Sequence, residues 1–261
     1  MQDRFAGKLY VDTSLDYVTG PIRLSLDAGV ENYPGEDRFD RYRINPGATF
    51  DLPIAQNGRT RLRIGAGYEY VADNDERVFD RGRADVQLIH RPSATHRTVA
   101  RVRYGFRNQS ERQFEGFDQQ EWLAELSHVW RPVGTRARVG ATILGIRHDA
   151  DDDRFSHTGY GLRLTGGMPI GDRVDGRMRA TVMRRLYDDD FSAELPLDRK
   201  DTRIDLSTRL SLALRGGATL FVEGGYVDNR SNIAARDFSG VTATLGLRWT
   251  LRAHRRDQSR R

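Results

Sequence analysis

The sequence contains no cysteine. That excludes a disulfide framework and any thiolate metal site. It has no run of about 18 apolar residues, so no transmembrane helix is encoded. Lysine is almost missing: only Lys8 and Lys200 occur, and every other basic side chain is arginine. The formal net charge is +5, and a basic balance can signal nucleic acid. Here the arginines are spread along the whole chain and gather in no single patch or helix, so no nucleic-acid partner is expected. No glycine-rich phosphate loop and no metal-ligand spacing on a helix occurs, so neither a cofactor nor a metal is expected. The opening residues MQDRFAGK lack the apolar core of a signal peptide. In an exported protein, either Met1 would not be the natural start or the chain would be a piece of a longer precursor.

What the sequence does have is alternation. From Arg203 to Leu251 it reads RIDLSTRLSLAL, a turn at Arg215-Gly216-Gly217, ATLFVEGGY, the polar stretch VDNRSNIAARDFSG, and VTATLGLRWTL. Ile204, Leu206, Leu210, Leu212 and Leu214 share one parity, while Arg203, Asp205, Ser207, Arg209 and Ser211 take the other. Val241, Ala243, Leu245, Leu247 and Trp249 alternate with Thr242, Thr244, Gly246 and Arg248. Period two at this length predicts strands with one apolar and one polar face. A short turn, a long loop and a short turn is the rhythm of a transmembrane barrel.

The rest of the chain repeats the pattern. The first strand is expected over 5–17, closed by Thr19-Gly20-Pro21, with a return through Ile22, Leu24, Leu26, Ala28 and Val30. A third strand carries Tyr42, Ile44, Ala48, Phe50 and Leu52, with Pro46 predicting a bulge or late start. Gln56-Asn57-Gly58 is a hairpin signal. ENYPGEDRFDR, ADNDERVFDR, NQSERQFEGFDQQ, HDADDDRFS and YDDDFSAELPLDRKD read as long polar loops. About thirteen strands result. Single-chain bacterial barrels have even strand numbers. One strand is therefore either hidden or precedes Met1, giving about fourteen; twelve would follow if one segment were loop. The expected fold is all-β: a single antiparallel transmembrane β-barrel over 1–251, with short periplasmic turns and long extracellular loops. The basic residues 252–261 read as a disordered tail. Hydrophobic residues make up 38% and charged residues 30%. That is too polar for a two-layer core and suited to a barrel with a wet interior. A soluble β-sandwich, with its charges outside, is the competing fold.

Two residue sets follow. Arg61, Arg63, Arg83, Asp85, Arg101, Arg103, Glu125, Arg138, Arg163, Arg177, Arg179, Arg203, Asp205, Arg209, Glu223 and Arg248 lie on the parity opposite the apolar residues. A charge facing lipid near the midplane costs several kcal/mol, so these are expected to face the lumen. They either pair across strands and fill a narrow barrel, or leave unpaired arginine along an anion-favouring pore. Tyr17, Tyr42, Tyr70, Phe106, Trp122, Trp130, Tyr187, Tyr226 and Trp249 sit near strand ends and are expected to form interface girdles. Asn229-Arg230-Ser231-Asn232 has no imidazole where a His-x-Ser-Asn hydrolase would need one, so it reads as a turn built from Asx and Ser side chains. No enzyme is expected. His148 beside Asp149, Asp151, Asp152 and Asp153 reads as a solvated acidic loop more than a cation site. The expected surroundings are outer-membrane lipids and lipopolysaccharide.

RKDTRIDLSTRLSL, then GGYVDNRSN with Tyr226 and Ser231-Asn232, then a last strand after Phe238, resembles the closing strands of barrels in surface lipoprotein assembly modifiers. The same residues resemble β-barrel porin families tied to exopolysaccharide export. The first resemblance implies a barrel of about fourteen strands, a periplasmic helical-repeat domain as partner, and a lipoprotein passenger. The second implies a polysaccharide passenger. Both imply passage across the outer membrane of a Gram-negative cell. A general diffusion porin would instead fold a long loop inward, with EGFDQQ or AELPLDRK as candidates.

Overall fold

A computed structural model describes residues 9–33, 40–55, 58–73, 76–110 and 116–249. The strands are β1 (Leu9–Thr19), β2 (Ile22–Asn32), β3 (Arg41–Pro53), β4 (Thr60–Asp73), β5 (Glu76–His90), β6 (His96–Gln109) and β7 (Gln119–Trp130). They continue as β8 (Arg138–Ala150), β9 (His157–Pro169), β10 (Val174–Ser192), β11 (Leu195–Ala213), β12 (Ala218–Ser231) and β13 (Phe238–Trp249). All thirteen lie in one sheet in sequential order. Every pairing is antiparallel. One continuous sheet rules out the two packed sheets of a sandwich. With an odd number of alternating strands, β1 and β13 run in the same direction. Among the described residues these two edges do not pair.

The alternation explains the burial. Side chains of one parity are apolar and solvent-facing: Val139 is 54%, Ile143 64%, Leu162 45%, Leu164 49% and Leu245 71% exposed. A soluble protein does not display apolar side chains on strand after strand. A barrel in lipid must, because its solvent is hydrocarbon. The residues of the opposite parity face a concavity and are half-buried, with a few apolar members such as Ile89 and Leu144 fully buried among them.

The short-turn end is as tight as its residues predict. Gly20 (φ 55°) sits in the β1–β2 turn, and Gly216 (φ 71°) and Gly217 (φ 81°) close β11 to β12, a left-handed conformation that glycine adopts without a Cβ clash. The opposite end differs from expectation. ADNDERVFDR, read as a long loop, is mostly strand: β4 runs to Asp73 and β5 starts at Glu76. YDDDFSAELPLDRKD is likewise no loop but the tip of a hairpin, with β10 and β11 of 19 residues each. Polar, charged residues mark water on both faces of a ribbon as well as they mark a loop. Sequence polarity therefore could not separate strands that outrun the membrane from loops beyond it. Pro46 makes no bulge: Ile44↔Tyr70 and Gly47↔Gly67 keep one register, and the β3–β4 ladder merely skips the residues between, since proline has no N–H to give. β1 begins at Leu9 and ends at Thr19. The expected start at Phe5, and the tail 252–261, lie outside the described residues.

Candidate functional site

The register converts the polar parity into horizontal rows around the concave face. One row reads Asp51, Arg63, Gln87, Arg101, Glu125, Leu144 from β3 to β8. A second, nearer the short turns, reads Arg138, Gly167, Arg177, Arg209, Glu223, Thr244 from β8 to β13. Nothing in the one-dimensional pattern places Arg101 opposite Glu125 or Arg177 opposite Arg209; register does.

In the middle of the face the charges are paired across strands. Asp51 accepts two hydrogen bonds from Arg63, 2.6 Å from Nε and 2.7 Å from Nη2, with Arg61 3.8 Å away. Arg101 donates to Asp85 at 2.7 Å and reaches Glu125 at 3.7 Å. Glu125 also accepts from Arg163 at 3.3 Å. Asp85, Arg101, Glu125 and Arg163 thus form one chain across β5, β6, β7 and β9. Arg81 ties Glu69 to Glu121, and Arg107 stands 3.8 Å from Glu121. Arg209 binds Glu223 across β11 and β12 at 2.5 Å while its guanidinium lies 4.4 Å from the Phe221 ring centre. Arg203 pairs with Asp205 along its own strand at 2.9 Å, and Arg83 donates to Asn45 at 3.1 Å. The carboxylates are the more shielded partners: the side chains of Asp85 and Glu125 are 10% and 13% exposed.

The sequence pattern missed several of these partners. Asp51 stood unremarked between outward-facing Phe50 and Leu52. Arg81 fell in the stretch read as loop, although it shares the parity of Arg83. Glu121 opens the segment EWLAELSHVW, read as a strand, and shares the parity of Glu125, but it was left out of the inward set. Continuing the alternation past the expected strand end would have found Arg81, and applying it to the first residue of the next strand would have found Glu121. Arg103, Arg138, Arg179 and Arg248, all expected on this face, have no ion pair among the described residues.

Three concavities open on this face, one of them, of about 520 Å³, at the rim beside the β9–β10 turn. A second, of about 690 Å³, lies at the short-turn end, lined by β6 to β12. The third, of about 300 Å³, lies between β2 and β6 around Asn45, Arg83 and Arg103. The expected inward loops do not enter any of them. AELPLDRK extends the β10–β11 hairpin. In EGFDQQ, Phe117 stacks on Phe155 of the neighbouring loop at 3.8 Å, and the carbonyls of Gly116 and Asp118 accept from the amides of Asp152 and Asp151.

Of the expected girdle residues, Tyr17, Tyr42, Phe106, Trp122, Trp130, Tyr226 and Trp249 are outward and between 41% and 63% exposed. Tyr70 shares that parity, opposite Ile44. Tyr187 does not. It lies on the concave parity opposite His157, 4.9 Å from that ring, with the Arg199 guanidinium 4.4 Å above it. Tyr187 shares the odd parity of Arg177 and Arg179, and the β9–β10 register runs unbroken to it, so its place near a strand end, not the alternation, had suggested a girdle. His148 meets His157 on the same face at 4.6 Å. Asp149 pairs with Arg147, and Asp152 with Arg154. In the loop after β8, that guanidinium holds the Asp152 carboxyl below the usual carboxylate range. Among the described residues no three such groups converge on a point that could hold a metal. Asn229, buried, donates to the Arg236 carbonyl at 2.8 Å; Asn232 accepts from the Lys200 amide at 2.7 Å, and Ser231 Oγ accepts from the Ile233 amide at 3.1 Å. Those side chains shape the turn.

No family model matches the chain, and no curated protein matches it. Solved structures do. CdiB from Acinetobacter baumannii superposes with a TM-score of 0.58 at 13% identity, over 96% of this chain and 52% of that one. This chain therefore spans about half the length of CdiB. A loop L8 deletion mutant of OmpT, an outer membrane protein of Vibrio cholerae, gives 0.49 at 10% identity over 94% and 97%. The β domain of the Bordetella autotransporter BrkA gives 0.42 at 13% over 94% and 99%. At such identities the likeness is one of fold, that of outer-membrane β-barrels. The apolar belt fits such a barrel standing in a membrane.

Proposed function

We propose that this barrel provides passage across the outer membrane, as an export conduit for a surface lipoprotein or a polymer rather than as a general diffusion porin. The observation that carries the reading is the concave face. It is polar from β2 to β13, richer in arginine than in acid, and hollow at two levels. A barrel serving only as a scaffold has no need of concavities behind a charged wall. The absence of an inward-folded loop among the described residues supports export over free diffusion. The Asp85–Arg101–Glu125–Arg163 chain crosses the face between the hollows. It narrows the path and holds it shut to bulk flow until a passenger competes for the arginines. A periplasmic helical-repeat partner suits such a conduit.

The test is single-channel recording of the refolded chain in a planar bilayer under a salt gradient. The wild type is expected to insert and give small, anion-selective openings. Glu125→Gln, which frees Arg163 and leaves Arg101 to Asp85 alone, is expected to raise conductance and anion selectivity together. Cation-selective current, or a Glu125→Gln channel identical to wild type, would overturn the proposal.

A further inference from the structure

The arginines of the short-turn mouth are arranged unlike those in the middle of the face. Arg138, Arg177 and Arg209 lie in one register row with only Gly167 between them, and Arg177 sits directly opposite Arg209. Adjacent strands are about 4.8 Å apart, so three guanidinium groups spread over about 15 Å. One register step further in, the row runs Arg97, Val129, Gly140, Thr165, Arg179, Ser207. Two more arginines, Arg91 and Arg131, enter from the turns. Like charges facing each other across strands are destabilising, and the neighbourhood does little to offset it. Glu223 serves Arg209. Asp175 serves Arg177 at 3.2 Å, with both side chains over two-fifths exposed. Arg91, Arg97, Arg131, Arg138 and Arg179 have no carboxylate partner among the described residues. The Nε–H of Arg97 is shielded from solvent and finds no acceptor there.

Small residues make the space these arginines surround. Val129, Gly140, Thr165 and Ser207 occupy the positions between them, leaving the cavity of about 690 Å³. That is the volume of a small-molecule site, not a crevice. Guanidinium forks match carboxylate and phosphate oxygens two at a time.

We propose that the short-turn mouth of the barrel is a binding site for an oligoanion that carries several phosphate or carboxylate groups about 5–10 Å apart, the spacing of one to two strands. The fork geometry recognises both kinds of oxyanion, and the row of arginines requires more than one charge on the ligand. On the conduit reading, on which its role in transit rests, this is where an acidic passenger first engages, before it meets the ion-paired middle. Binding itself needs only the cavity.

The experiment measures binding to the full chain refolded in zwitterionic detergent, so that its failure is distinguishable from failure of the passage reading, which is tested by current. Inorganic tripolyphosphate and citrate are titrated separately by calorimetry at low ionic strength, with chloride and sulfate as controls. Saturable binding of at least one of the two is expected, weakening steeply with added salt, and their ratio tells phosphate from carboxylate. Arg138→Gln/Arg179→Gln is expected to weaken it by about 100-fold, about a factor of ten for each charge-assisted hydrogen bond removed. Arg154→Gln, which removes a cation from the opposite end, is expected to stay within about twofold. Heat-modifiable migration on a gel shows that each variant is folded. Arg138→Lys keeps the charge without the fork and is expected to fall between. No saturable binding by the wild type, or equal binding by the folded double variant, would overturn the proposal.

Discussion

Replacing Ile143 by arginine tests the placement of the chain in lipid. Ile143 lies at the centre of β8, 64% exposed on the apolar parity, with Leu126 and Leu162 opposite it on either side. The strand supplies its own ruler. A strand rises about 3.4 Å per residue and tilts about 40° in a barrel, so each residue climbs about 2.6 Å along the membrane normal. From Val139 to Arg147 is then about 20 Å, close to the full height of a lipid-facing belt. Arg147 marks the outer limit: it is outward, yet paired with Asp149 at 2.5 Å and Asp188 at 2.6 Å. Val139, 54% exposed, marks the inner limit. Ile143 falls midway. Arginine at the midplane costs about 2–4 kcal/mol, and near an interface about 0–1 kcal/mol. Ile143→Arg is therefore expected to destabilise the barrel by about 2–4 kcal/mol, and Val139→Arg by no more than about 1 kcal/mol. Guanidinium unfolding in phospholipid vesicles, followed by fluorescence of the three tryptophans, reads both. On the surface of a soluble protein both substitutions would cost less than about 0.5 kcal/mol. Two such small and equal values would refute the belt.

Three further outcomes are expected. Asp51→Asn removes the charge and turns one of the two oxygens that accept from Arg63 into an NH2, and is expected to cost about 1–3 kcal/mol in the same unfolding measurement, with Asn45→Ala as a milder control. The Phe106 ring lies over Gly82 where a Cβ would stand, so Gly82→Val is expected to destabilise by about 1–3 kcal/mol. Most of that should vanish when Phe106→Ala is added, and additive effects would refute the packing. Asp152 is acidic beyond its ordinary range because Arg154 donates to it. A lowered folded pKa gives stability that is fully present above the unfolded value and is lost as pH falls through the lower, folded one. Hydrogen-exchange protection at the Arg154 amide should thus exceed that of Asp152→Asn at pH 7, and the two should converge below about pH 4; an equal difference at both pH values would refute the pairing.

The alternation made the barrel legible because period two is a local property: Leu245, Leu247 and Trp249 announce their common face without reference to any other strand. The inward charges were legible for the same reason. Their partners were not, since Arg101 and Glu125 are 24 positions apart by their numbers and meet only through the β6–β7 register. Register depends on turn geometry and on the whole set of pairings. Strand ends were the other blind spot. Up to the edge of the belt one face must be apolar, and the pattern is clear. Beyond it both faces are wet, and Arg77 to Arg81 or Asp188 to Asp201 read like loop. Tyr187 was assigned to the wrong face at such a boundary.

The longest of those extensions has a consequence at the cell surface. The β10–β11 ribbon leaves the belt near Arg184 and Thr202, which are hydrogen-bonded at 2.6 Å, and continues to the Ala193-Glu194 tip. That is about 20 Å of paired backbone above the membrane. It carries Asp188, Asp189, Asp190, Glu194 and Asp198 upward as an acidic mast. An antibody or bacteriophage arriving from outside would meet this ribbon. An epitope tag spliced between Ala193 and Glu194 would stand at the masthead, readable on intact cells, while the barrel below is left untouched.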